Sequence, residues 1–181
     1  CYAASQENQY PNVYKARKYN HELILKYLNK ENGYFHTYEL IKESIIKNIS
    51  KNINKVRIHS SGDFFSGEYL RSWLTVARSM PQLKFYCYSK SLHLFGTNVR
   101  VPDNFFLTAS MGGKMDILIH KKYFKRWAIV VNSEDEAIKK GIEHIGKPYE
   151  IDKDDSHCFK PDPFALLIHG TQKKGYFKNL K

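Results

Sequence analysis

A chain of 181 residues is long enough for one domain with a buried core, and an apolar share of 42% with 14% aromatics excludes general disorder. Lys and Arg number 29 against 18 Asp and Glu, and the resulting charge of +11 favours phosphate backbones or acidic surfaces as partners. Three cysteines are too few for a secreted disulfide scaffold and suit a reducing cytoplasm, and no apolar run approaches the roughly 20 residues that cross a bilayer.

In chain order, Cys1 to Ala4 opens abruptly, and Ser5 to Tyr10 reads as a polar loop before Pro11. From Asn12, the residues Val13, Ala16, Tyr19, Leu23, Ile24, Tyr27 and Leu28 recur at spacings of three and four, which predicts an amphipathic helix capped by Asn12 and ending near Asn32-Gly33. A second helix is expected from Thr37 to Ile49, with Tyr38, Leu40, Ile41, Ile45 and Ile49 inward. Lys15, Arg17, Lys18 and Lys26 fit a solvated face better than a binding stripe.

Val56 to His59 is a short β-rich run ending in Ser60-Ser61-Gly62-Asp63. Tyr69, Trp73, Val76 and Ala77 then recur at helical spacing until Met80-Pro81 stops the helix, and Leu83 to Tyr88 is a second strand ending in Ser89-Lys90-Ser91. A strand-helix-strand unit implies parallel strands joined by a right-handed crossover, so the polar groups ending both strands fall on one rim. In α/β folds that rim binds ligands.

The pattern continues. Pro102-Asp103-Asn104 is a turn before a strand over Phe105 to Ala109, which ends at Ser110 and Met111-Gly112-Gly113. Trp127 to Val131 ends in Asn132-Ser133, where Ser133 can cap a helix over Glu134 to Ile145. A last strand, Phe164 to Ile168, ends in His169-Gly170. These elements predict an α/β fold, a parallel-stranded partial (β/α) barrel with outer helices. It forms a single domain with a helical segment over 12–50, strand-helix repeats over 55–170 and a basic tail over 171–181.

Among chemical groups, His59 is placed for proton transfer if Asp63 orients it, with a histidine simply hydrogen-bonded within the sheet as the equal alternative, and His169 holds the analogous position on the last strand. Lys90 stands at the same rim. Ser60, Ser61 and Gly62 fit a turn with Gly62 at positive φ, and either Ser66 or Asp63 can cap the following helix. Cys1, His157, Cys158 and His169 offer ligands of the zinc type, but adjacent ligands at 157 and 158 are not the usual spacing. Cys87 alternates with Tyr86 and Tyr88 inside a strand and reads as packing. Arg71 and Arg78, with Lys84 and Lys90, are candidate phosphate contacts, while no Walker motif or G-x-G-x-x-G is present.

The run RIHSSGDFFSGEYLRSWLTVARSMPQLKFYCYSKS, preceded by CYAA and PNVYKARKYN and followed by PDNFFLTAS and IHG, resembles the phage gene-product-eighty-eight domain family. The CYA segment is similar to the end of the cysteine cluster of radical S-adenosylmethionine enzymes. That resemblance implies a radical S-adenosylmethionine-like barrel, an iron–sulfur cluster held by three thiolates, and a glycine-containing acidic turn after the second barrel strand that receives the cofactor's amino group. Carried onto this chain, Cys1 is the last cluster cysteine, Ser61, Gly62 and Asp63 form the turn, and Ser89, Lys90 and Ser110 line the mouth. Only Cys1 of that cluster is in the sequence, and one thiolate cannot hold it. The reading from charge alone differs: a non-enzymatic protein that binds nucleic acid or a host factor, with a vestigial site.

Overall fold

The computed structural model describes residues 2–96 and 98–168. Among the described residues six strands, all paired in parallel, form one sheet that curls into a half-barrel: β1 (Lys55–Arg57), β2 (Lys84–Ser89), β3 (Phe105–Ser110), β4 (Trp127–Val131), β5 (Ile151–Asp152) and β6 (Phe164–Leu167). The spatial order is β1-β2-β3-β4-β6-β5. The first four strands add in sequence, whereas β6 enters between β4 and β5. β5, only two residues long, carries no readable alternation and is the strand that the sequence left out.

Helices α1 (Tyr2–Gln9), α2 (Pro11–Leu28) and α3 (Gly33–Asn48) precede the sheet, α4 (Gly67–Ser79) joins β1 to β2, α5 (Ile117–His120) joins β3 to β4, and α6 (Glu134–Ile145) follows β4. The polar run expected to be a loop before Pro11 is therefore helical. Pro11 opens α2 at its first turn, where a missing N–H costs nothing, and the Asn12 cap is not used. That helix ends at Leu28, short of the expected Asn32, and α3 starts at Gly33 rather than Thr37. Packing explains the early start: a Cβ on residue 33 would lie 1.9 Å from the Leu28 carbonyl oxygen, a contact only glycine permits.

The other caps match their sequence signals. Ser66 Oγ accepts from the Tyr69 N–H at 3.2 Å and starts α4; Ser133 Oγ accepts from the Glu136 N–H at 3.1 Å and starts α6. Glu136 reaches back to accept from the Asn132 N–H at 2.7 Å, a capping box shifted outward by one residue from the Ser133 cap.

Strand alternation divides the core. Phe85, Cys87, Ile58 and Phe105 face outward under α4 with Tyr69, Leu70, Leu74 and Ala77. α3 lies over α4, and the Ser72 hydroxyl donates to the Tyr34 carbonyl at 2.8 Å between them. Further along, Trp127, Ile129 and Val131 pack under α6 and α5 through Ala137 and Ile119. The opposite residues, Tyr86, Tyr88, Ala128, Phe164 and Leu166, line the concave face around Cys158 and Phe159. Those two belong to a 3-10 turn, Ser156–Phe159, that leaves β5 and lies across the hollow of the half-barrel. No described helix is long and apolar enough to cross a membrane.

Candidate functional site at the mouth and on the concave face

Three strand-end loops are stitched together at the carboxyl mouth. Asp63 Oδ1 accepts from the Phe64 N–H and the Ser89 hydroxyl, each at 2.7 Å; Oδ2 accepts from the N–H groups of Lys90 at 2.7 Å and Ser91 at 3.1 Å. Lys90 Nζ donates to the Gly112 carbonyl at 3.1 Å, and the Gly112 and Gly113 N–H groups donate to the Asp116 carboxylate at 2.8 and 2.9 Å. Asp63, Ser89 and Lys90 thus come together as expected for one rim. Asp63, though, is occupied by four protein donors and Ser89 is buried, so both brace the mouth.

Gly62 has φ +85°, the left-handed conformation its turn needs, and open space lies where a side chain would project. Ser61 is half-buried beside it, and Ser110 is half-buried at the end of β3. Inside the mouth, Val130 remains 37% exposed although its neighbours along β4 are buried.

His59 departs from expectation. Its φ of +62° rotates the side chain away from the mouth, where strand alternation would have put it, and under the start of α4. There Nε2 lies 3.0 Å from the Tyr69 hydroxyl, and the ring meets Phe64 edge-on at 4.8 Å. Asp63 makes no hydrogen bond to it among the described residues and acts only at a distance. Burial lowers the imidazole pKa, and the Asp63 charge only partly opposes this, so the ring is a neutral packing element. His169 and Cys1 lie outside the described residues.

The densest set of chemical groups is on the concave face, and the sequence reading missed it. Asp155 Oδ2 accepts from Arg57 Nη1 at 2.9 Å and from the Tyr86 hydroxyl at 3.1 Å, while Oδ1 accepts from the Tyr88 hydroxyl at 2.8 Å. Asp152, on β5, ion-pairs through Oδ1 with His157 Nδ1 at 3.1 Å, and His157 Nε2 pairs with Glu150 at 2.7 Å. Burial, with the charge and hydrogen bond of Asp155, pushes the Tyr86 phenol up to about 12, and burial, with Cys158 and then Asp155, raises Tyr88 further. Burial also raises the thiols of Cys87 and Cys158, so neither is an activated nucleophile. The signal available in the sequence was the run Asp152 to Cys158, with three aspartates ahead of His157-Cys158.

Toward the amino ends of the strands, cations surround the aromatic filling of the half-barrel. Lys55 and Lys84 lie 4.9 and 5.9 Å from the Phe159 ring, Arg126 lies 5.5 Å from Phe106, and Arg57 lies 5.3 Å from Tyr88. Phe159 in turn meets Phe106 at 4.9 Å and Tyr86 at 5.4 Å. Arg71 is elsewhere, over the Tyr34 ring at 3.7 Å, and Arg78 donates to the Arg100 carbonyl, so the expected pairing of these arginines with Lys84 and Lys90 is not formed.

The family model for Gene product 88, a phage protein family, matches residues 1–181, and the chain belongs to that family. No curated protein and no solved structure matches it.

Proposed function

We propose that this member of the Gene product 88 family binds a small ligand of the S-adenosylmethionine type at the mouth of its half-barrel, as in a radical S-adenosylmethionine-like fold. The observation that carries this reading is the Ser61-Gly62-Asp63 turn, tied to the end of β2 by three hydrogen bonds, with a fourth inside the turn from the Phe64 N–H. With Asp63 occupied, a ligand's amino group would meet the Ser61 hydroxyl and the backbone around Gly62, where nothing blocks approach. Ser110 and Lys90 would flank it, and Val130 offers an apolar floor.

The iron–sulfur cluster itself does not fit the described residues. Cys87 and Cys158 are both buried and lie on opposite faces of the sheet, and neither stands at the mouth. The acidic turn also follows the first strand of the described sheet instead of a second, and the outer edge of β1 is unpaired among the described residues. Cluster chemistry would require Cys1 with thiolates from beyond this sequence, so the proposal for the described residues is ligand binding in the cytoplasm of a phage host. His59, turned under α4, is not part of it.

Iron and sulfide analysis of the complete natural reading frame, expressed anaerobically, tests the enzymatic form. A brown protein that loses its colour on Cys1→Ala supports it, and a colourless folded protein overturns it. Calorimetry with S-adenosylmethionine tests the mouth directly: Ser61→Ala should weaken binding about tenfold.

A second reading has its own observation. The ring of Lys55, Arg57, Lys84 and Arg126 around Phe106, Tyr86 and Phe159 has the composition of a single-strand nucleic-acid surface, where cations track phosphates and aromatic faces stack on bases. Fluorescence anisotropy with single-stranded DNA should then show affinity falling steeply between about 50 and 200 mM salt, with further loss in Lys55→Glu/Lys84→Glu. Absence of binding at low salt removes this reading.

A further inference from the structure

We propose that Asp152, Asp155 and Cys158 form a binding site for a divalent first-row cation of the zinc type, seated between the β5–β6 connection and the concave face of the sheet. One ligand atom from each residue, two carboxylate oxygens and the thiol sulfur, lie within 4.8 Å of one another. Tetrahedral zinc places such atoms about 3.3–3.8 Å apart, so closing on a cation takes side-chain shifts of about 1 Å.

Asp152 carries the observation that calls for a cation. Its side chain has no solvent exposure, and Oδ1 is served by His157 and by the Asp154 N–H. Oδ2 is buried with no hydrogen-bond partner among the described residues. A buried carboxylate oxygen without a donor is costly, and a cation supplies what the protein does not. A second orphan comes from a different strand: Thr108 is fully buried, its hydroxyl has no oxygen or nitrogen partner among the described residues, and it faces the Cys158 thiol. The unpartnered Asp152 carboxylate oxygen thus belongs to a residue of the three-residue set, and the Thr108 hydroxyl lines that set beside its thiol.

The supporting groups are arranged as a metal site requires. Tyr86, Tyr88 and Arg57 fix the Asp155 carboxylate, and His157, held by Glu150, fixes Asp152. Binding forms two metal–oxygen bonds and one metal–sulfur bond, and the Cys158 proton leaves to solvent. A dication with two carboxylates and a thiolate carries one negative charge, which the Arg57 guanidinium balances. A thiolate in the set favours zinc or cobalt over magnesium or calcium, and the fourth position is left for water.

The test uses the full chain, stripped with chelator and titrated with cobalt(II) under anaerobic conditions. The expected result is a single equivalent of cobalt giving a near-ultraviolet sulfur-to-cobalt charge-transfer band, removed by added zinc. The band should persist in Cys87→Ser and vanish in Cys158→Ser, and Asp152→Asn should weaken cobalt binding about tenfold or more. No band, or a band that survives Cys158→Ser, overturns the site. Should Cys158→Ser fail to fold, Asp152→Asn decides, because cobalt affinity unchanged in that variant is equally fatal.

Discussion

At the scale of single residues, the same chemical group does different work according to its backbone. Asp63 was legible as a rim carboxylate, and it is one, but its four hydrogen bonds make it a brace. Asp63→Ala strands the Lys90 and Ser91 N–H groups and the Ser89 hydroxyl, and should cost about 2–4 kcal/mol in urea denaturation. If stability were unchanged while S-adenosylmethionine binding disappeared, Asp63 would be a ligand group after all. His59 turns under α4 rather than into the mouth because strand alternation says nothing of a left-handed φ, which histidine adopts more readily than most residues. Its lowered pKa sets the sign of a pH effect. The folded state prefers the neutral ring, so this stabilisation is complete above the unfolded pKa of about 6.5 and is lost as pH falls below it. His59→Asn, which tolerates the same φ, should flatten the decline in thermal midpoint between about pH 7 and 5 relative to the parent. An unaltered slope would contradict the buried neutral ring.

At the scale of elements, legibility followed local chemistry. The strand Trp127–Val131 and the helix Glu134–Ile145 stand where the sequence put them, because a continuous apolar run and a Ser-x-x-Glu box are both written within a few residues. β5 and the turn Ser156–Phe159 were not seen, since two residues of strand have no period and the turn is held by partners such as Arg57, 98 positions from Asp155. The capping box of α6 gives a second pH effect, separate from that of His59. Burial pushes Glu136 up, but the Asn132 backbone N–H and Lys140 outweigh it and hold its pKa down to about 2. With the folded pKa depressed, this contribution is present above the usual carboxylate range and disappears as pH falls from about 4.5 toward 2. Glu136→Gln should remove that acid-limb dependence in circular dichroism melts while leaving the limb near pH 6 intact. Ser133→Ala should lower stability by about 1 kcal/mol at any pH, by loss of the cap alone.

At the scale of the whole molecule, the half-barrel has an open side, and the segment after β5 is what spans it. The two main cores lie on the outer face, one under α4 and one under α6, and they share only the sheet between them. The third group, around Cys158 and Phe164, fills the hollow, and Asp155 carries it to β1 at the opposite edge through Arg57, Tyr86 and Tyr88. One carboxylate therefore links the first two strands of the order to the segment that leaves the last. Asp155→Ala would leave two phenols and a guanidinium facing a void, with the half-buried Tyr88 hydroxyl left only the weaker Cys158 thiol as a partner, at a cost of about 2–4 kcal/mol. Arg57→Met should cost less, about 1 kcal/mol, because Arg57 is partly exposed and its pairing is screened by solvent. If Asp155 works by tying the edges, the double variant should be no worse than Asp155→Ala by more than a few tenths of a kcal/mol, since the pair is already broken. Fully additive losses in the denaturation cycle would instead mean that Arg57 and Asp155 act separately, and that the concave face is held by its aromatic packing alone.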